Sequence, residues 1–176
     1  MTIFVVNDYP GFVAGKLQQE IHQTKAIRFL EEEAALNIVR TADVLMLAVT
    51  DVLKPHLLSA TQYNVLRILR GAGKDGASCK DIGKRLVARD PDITRLMDRL
   101  EQRGLLTRDR AREDRRVVTH RLTRAGLELV NELDGPIEAL NRKIMPMKAE
   151  KLRELIGLLE EVRAGIDKVE NGRIKI

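Results

Sequence analysis

The stretch Pro91-Asp92-Ile93-Thr94-Arg95-Leu96-Met97-Asp98-Arg99-Leu100-Glu101-Gln102-Arg103-Gly104-Leu105 decides how the chain is to be read. Ile93, Leu96, Met97 and Leu100 fall at i, i+3, i+4 and i+7, the spacing that gathers apolar side chains on one face of an α-helix. Asp92, Thr94, Arg95, Asp98, Arg99 and Gln102 are left towards the other side. Asp90 and Pro91 supply a start, an N-cap carboxylate followed by a proline at the first helical position, where its missing N–H costs nothing. Gly104 supplies the stop. Leu105 to Arg108, the charged run Asp109 to Arg116, and Val117 to Leu122 then read as strand, loop and strand.

Upstream, Ser59-Ala60-Thr61-Gln62 has the form of a capping box, with Leu58 and Tyr63 placed as a hydrophobic staple. The helix it opens lines up Tyr63, Leu66 and Leu69 and ends in the Gly71 to Gly76 stretch. Ser78 followed by Asp81 caps a second short helix, with Ile82 and Leu86 inward and its end near Val87. Two short helices joined by a tight connection, the second with Thr94 and Arg95 on its exposed face, followed by a basic two-stranded loop, are the parts of a winged helix-turn-helix.

The flanks are helical. From Phe29 to Leu53, Ala35, Val39, Ala42, Met46, Val49 and Leu53 recur at alternating steps of four and three, widened by Ile38, Leu45 and Val52, and Pro55 stops the run. Thr123 caps a helix from Arg124 to about Leu133, which Gly135-Pro136 kinks or breaks before Ile137 to Ile144. Beyond Pro146, Leu152, Leu155, Ile156, Leu159 and Val162 form a stripe that wants a partner surface. Residues 1–58 are thus an N-terminal arm and helix, 59–123 the winged helix-turn-helix, and 124–176 the C-terminal helices. The expected fold class is mainly α.

Composition agrees. The 176 residues are 44% hydrophobic, 32% charged and 3% aromatic with no Trp, which favours a helical globular protein over a β-sandwich. No apolar run approaches the roughly 20 residues of a membrane span, and Ile3 to Val6 lacks the features of a secretory signal, so a cytoplasmic protein is expected. Cys79 is the single cysteine, which rules out an intramolecular disulfide and a multi-Cys zinc site. The net charge of +5 is unevenly placed. Ala60 to Gly126 holds 17 Lys and Arg against 9 Asp and Glu, net +8, and the remainder is net −3. A basic centre between acidic flanks points to a polyanionic partner.

Catalytic signals are weak by comparison. Gly71-Ala72-Gly73-Lys74 resembles the end of a phosphate-binding loop, but Ile68 stands where that loop needs Gly, and Asp75 where it needs Ser or Thr. His22, His56 and His120 show no metal-ligand spacing. The acidic residues are interleaved with Lys and Arg, and no catalytic carboxylate pair stands out. No enzymatic activity, metal or required cofactor is expected. Cys79 at a helix start beside Lys80 has a feature that lowers thiol pKa values.

The major groove of DNA accepts a helix, arginine makes bidentate contacts to guanine, and threonine serves base edges, thymine methyls or phosphates. Arg95 and Thr94 are the first candidates, with Arg99 beside them. Their alternative is a solvated face on which Arg95 and Arg99 pair with Asp92 and Asp98. Five arginines occupy the window Arg108 to Arg116. On a hairpin tip they enter the minor groove or hold phosphates, and Asp114 can tie one back.

The Pro91 to Leu105 segment, Asp114-Arg115-Arg116 and Leu122-Thr123-Arg124-Ala125-Gly126 resemble the recognition helix, wing and following helix start of the MarR family of bacterial transcriptional regulators, and the resemblance runs over roughly residues 29–163. It implies a homodimer with interlocked terminal helices, each subunit presenting one winged helix to half of a pseudopalindromic operator. It places the recognition-helix arginine at Arg95 and the wing arginine at Arg116, with Arg115 or Arg112 beside it and Asp114 as internal partner. Ser78 and Lys80 become phosphate contacts. Leu152, Leu155, Ile156, Leu159 and Val162 become dimerisation residues, against the competing reading of core packing within one chain. A small aromatic or anionic effector, bound between dimer base and reading head, is a further implication, and repression is the expected outcome. The alternative from another class is a dimeric protein-interaction or sequence-indifferent architectural module. Operator, target genes and effector are not legible in the residues.

Overall fold

The computed structural model describes residues 15–25, 27–88, 90–110 and 118–170. The elements are α1 (Leu17–Glu20), α2 (Leu30–Leu53), α3 (Ala60–Ala72), β1 (Ala77–Ser78), α4 (Cys79–Arg85), α5 (Ile93–Gln102), β2 (Leu106–Arg110), β3 (Val118–Leu122), α6 (Arg124–Ile144) and α7 (Ala149–Glu170), with 3-10 turns at Lys54–His56 and Gly73–Asp75. The chain divides into two compact units, Met1–Asn131 and Glu132–Ile176.

Within the first unit the core is the helix-turn-helix interior. Val65, Leu66 and Leu69 of α3, Ile82 of α4, and Leu96, Met97 and Leu100 of α5 are all buried, as are Leu105 and Leu106 at the entry to the wing. Both halves of the expected capping box form: the Ser59 hydroxyl accepts from the Gln62 N–H at 3.1 Å, and the Gln62 side chain accepts from the Ser59 N–H at 2.9 Å. Leu58 and Tyr63 are both buried beside it.

The sheet has three strands in the order β1-β3-β2, all antiparallel. β2 and β3 make the expected two-stranded wing. The third strand was not anticipated: Ala77 faces His120, and Ser78 faces Thr119. Two residues carry too little alternation to read as a strand. Gly76, just before β1, holds φ +68°, and a Cβ there would stand 2.5 Å from the His120 carbonyl oxygen, so only glycine fits the approach of the turn to β3.

Three boundaries depart from expectation. Asp90 does not cap a helix beginning at Pro91. Its carboxylate accepts from the Asp92 N–H at 2.8 Å, closing a local turn, and α5 begins two residues later at Ile93. The shift puts Thr94 and Arg95 in the first turn of α5. Next, α4 ends at Arg85, before Val87, whose N–H is captured by the Asn64 side chain at 2.9 Å. Finally, α6 runs unbroken through Pro136. A proline removes one backbone donor, and 21 residues of helix tolerate that loss here.

Thr123 and Gly126 explain the start of α6. The Thr123 hydroxyl accepts from the Gly126 N–H at 3.0 Å and donates to the Gly104 carbonyl at 2.7 Å, while the Thr123 N–H donates to the Leu105 carbonyl at 3.1 Å. A side chain at Gly126 would drive into that same Leu105 carbonyl. The Leu-Thr-x-x-Gly pattern is therefore a cap plus a close approach, which fix α6 to the end of α5.

Candidate nucleic-acid interface

Thr94, Arg95 and Arg99 lie on the exposed side of α5, opposite Leu96, Met97 and Leu100. The Arg95 side chain is 78% exposed, and its Nε lies 3.3 Å from the Asp92 carboxylate. Half of the solvated-face alternative is thus present. The other half is not: Asp98 pairs with Arg108, and Arg99 has no ion pair among the described residues. Arg95 and Arg99 share a small cavity of about 140 Å3 with Asp90, Asp92, Ser59 and Gln62.

Lys80 is exposed in the first turn of α4. Ser78 is already engaged: its hydroxyl accepts from the Asp81 N–H at 3.2 Å and donates to the Asp81 carboxylate at 2.6 Å. Arg112, Asp114, Arg115 and Arg116 lie outside the described residues.

Several arginines that look alike in sequence have distinct duties. Arg108 stands on the same face of β2 as Leu106 and binds both Asp98 and Glu101 of α5, the latter at 3.5 Å. It ties the wing to the recognition helix. Arg121 of β3 donates to Asp109 of β2 at 2.6 Å on the other face of the hairpin. Arg103, just past α5, donates to the carbonyls of Leu57 and His56 at 2.6 and 2.8 Å. Sequence reading missed all three contacts. Strand alternation is the one local signal, since it sets Arg108 with Leu106 and Asp109 with Thr107.

Behind the interface, His120 is 1% exposed and stands opposite Arg108 on β2. Its Nδ1 is 4.0 Å from the Cys79 sulfur, and its Nε2 has no partner among the described residues. Burial, and then the Arg108 charge, push its pKa below the ordinary histidine value. Burial also raises the Cys79 thiol, overriding the lowering expected from a helix start beside Lys80. Cys79 is therefore held as a thiol, not poised as a thiolate.

The apolar stripe on α7 is open in the single chain. Ile156, at 54%, and Val162 are exposed on α7, with Leu152, Leu155 and Leu159 half-buried. On α2, Val39 is 67% exposed and Met46 and Leu47 are also exposed, while Leu53 is buried.

Among known proteins, the MarR family profile matches residues 58–118. The homoprotocatechuate degradative operon repressor of Escherichia coli is 30% identical over 143 residues, covering 80% of this chain and 88% of its own length. A MarR transcription factor from Planctomyces limnophilus is 41% identical, covers 77% of this chain and 98% of its own, and superposes with a TM-score of 0.59. The PcaV transcriptional regulator of Streptomyces coelicolor, solved in complex with its natural ligand, shares the fold at 24% identity, with a TM-score of 0.65 over 80% of this chain and 98% of its own. With a winged helix on which Thr94 and Arg95 stand exposed, and with these relatives, the chain belongs to the MarR family of transcriptional regulators.

Proposed function

We propose that this protein is a sequence-specific DNA-binding repressor that binds a pseudopalindromic operator as a homodimer and responds to a small-molecule effector. The observation that carries the reading is the first turn of α5, where Thr94 and Arg95 are exposed on the side opposite the buried face. A recognition helix contacts base edges with its N-terminal residues. Arg95 and Thr94 read the major groove, and Arg99 and Lys80 meet phosphates. Ser78 serves first as the cap of α4 and contacts phosphate through what its hydroxyl has left. Arg116, with Arg115 or Arg112, carries the wing contact, and Asp114 braces it.

Leu152, Leu155, Ile156, Leu159 and Val162 form the dimer contact. The exposed leucine, isoleucine and valine on α7 support that assignment, because apolar surface of this kind is covered in an assembly. Residues 1–58 and 124–176 build the dimerisation part around the reading head of residues 59–123. Regulation proceeds by binding, without catalysis or a required cofactor. The name of the operon repressor relative supports repression, and the ligand of PcaV supports an effector. No helix among the described residues is long and apolar enough to cross a membrane, which fits a cytoplasmic regulator.

Selection from a pool of random duplexes at near-physiological salt tests the reading. Enrichment of an inverted repeat with half-sites about one helical turn apart is expected. Retention of duplex without an enriched motif would favour the sequence-indifferent architectural reading, since counterion release alone binds any DNA.

A further inference from the structure

On α5, Asp98 follows Thr94 and Arg95 by one helical turn. Side chains three and four residues apart are neighbours on a helix surface, so Asp98 stands beside Thr94, Arg95, Glu101 and Gln102. Arg95 is the one cation of the four. An arginine followed three residues later by an aspartate makes an ion pair elsewhere in this chain, where Arg40 reaches Asp43 at 3.6 Å on α2. The same spacing on α5 makes Asp98 a second acid suited to Arg95, in addition to Asp92, whose carboxylate lies 3.3 Å from the Arg95 Nε.

Asp98 pairs with Arg108 of β2 instead. Arg108 gives a terminal nitrogen to Asp98 and brings its Nε to 3.5 Å from Glu101. A planar guanidinium holds two carboxylates in a fixed fork, and the strand holds the guanidinium, because Arg108 is paired with the buried His120 in the middle of the β2-β3 ladder. Glu101 has no cation three or four positions away, since Met97, Asp98, Gly104 and Leu105 occupy those places. Of the two acids that Arg108 holds, only Asp98 has the spacing to compete for Arg95.

We propose that Arg108 is a positioning residue for DNA reading: by occupying Asp98 it keeps that carboxylate off Arg95, so that the Arg95 guanidinium is restrained by one acid and not by two. Arg108 touches neither base nor phosphate in this role and acts through Asp98. This deepens the DNA-reading part of the proposed function and rests on it for the effect on affinity. The effect on Arg95 belongs to the free protein.

NMR of the Arg95 Nε–H in the full chain tests the free protein. Arg108→Gln should shift that resonance and slow its exchange with water by about two- to fivefold, as Asp98 takes it up. Adding Asp98→Asn to the Arg108→Gln chain should return the resonance to its parental position, and adding Glu101→Gln should not. The two double variants carry the same net charge and differ only in which acid remains. Affinity for the operator found by selection should follow the same order. Arg108→Gln and Arg108→Gln/Glu101→Gln are expected to bind about threefold more weakly than the parent, and Arg108→Gln/Asp98→Asn within about 1.5-fold of it.

Equal rescue by the two second substitutions would reduce the effect to net charge and overturn the proposal. Rescue by neither would make Arg108 a phosphate contact or a structural tie alone, and would overturn it as well. Asp98→Asn by itself is a check that leaves Arg108 in place. The Arg95 resonance should then stay where it is, and a shift as large as that from Asp92→Asn would show that both acids already share Arg95, which is the opposite of what is proposed. A parent chain that selects no operator would count against sequence-specific reading, while the Arg95 resonance still decides whether Arg108 withholds Asp98.

Discussion

The guanidinium of Arg103, one residue past α5, donates to the carbonyl oxygen of Leu57 at 2.6 Å. Its other terminal nitrogen donates to the His56 carbonyl at 2.8 Å. Leu57 is at φ +53°, which an L-residue adopts only when its surroundings hold it there. One cation thus joins the end of the recognition helix to the turn that closes α2. Arg103→Ala should destabilise the chain by about 1 kcal/mol, because the bonds are charge-assisted but exposed. Urea unfolding measures this. Arg103→Lys should recover about half or less, since an ammonium does not span both carbonyls with a fixed fork. Full recovery by lysine would mean that charge alone matters.

Arg95 is held 3.3 Å from Asp92 in the free protein. If Arg95 reads the major groove as proposed, DNA has to displace that carboxylate, which also repels phosphate. Asp92→Asn is expected to tighten operator binding by about two- to fivefold, in keeping with an exposed ion pair worth under about 1 kcal/mol. Arg95→Ala should cost about 1 to 3 kcal/mol on the operator and relax specificity at one base position. Equal losses on operator and random duplex would make Arg95 a phosphate contact. Fluorescence anisotropy with both DNAs separates the outcomes.

Gly126 lies against the Leu105 carbonyl, with no room for a methyl group. Gly126→Ala forces α6 away from the end of α5 and breaks the bonds that Thr123 makes there. A loss of about 2 to 4 kcal/mol is expected from such a clash of backbone with side chain. Thermal unfolding checks it, and a shift of only a degree or so would show that the helix start gives way freely.

His120 links stability to acidity. Its folded pKa lies below the unfolded value, so the unfolded chain takes up its proton first as pH falls. The groups facing it are Arg108 on β2, Asp98 and Glu101 on α5, and Cys79 on α4. Arg108 reinforces burial, and the two carboxylates oppose it without reversing the sign. Its contribution is complete above the ordinary histidine value and falls away as pH drops through the depressed one. Urea unfolding at about pH 7.5 and about pH 5.5 should show the acid loss, and His120→Leu should reduce it. A pH dependence unchanged by His120→Leu would place the effect in other groups.

What the sequence made legible is what neighbours in the chain decide. The Ser59-Gln62 box, the Ser78 cap, the buried face of α5 and the Thr123 cap each need residues within one or two helical turns, and all are present in the structure. Contacts between distant residues left no such mark. Arg103 and Leu57 are 46 residues apart, and Arg121 and Asp109 are 12 apart. Arg108 was indistinguishable from the other arginines of its window until the strand pairing set its face towards Asp98. The start of α5 was misplaced for a local reason, because an aspartate before a proline suits either a helix cap or a turn.

The middle position of β3 has an evolutionary corollary. This strand is paired on one side through Ala77 and Ser78 and on the other through residues 106–110. Changes in the segment joining β2 to β3 leave the register with β1 untouched, and through Ser78 the placement of α4. Selection can therefore change the length and composition of that segment while α5 keeps its frame, so chains on this scaffold can diverge there without first losing their fold.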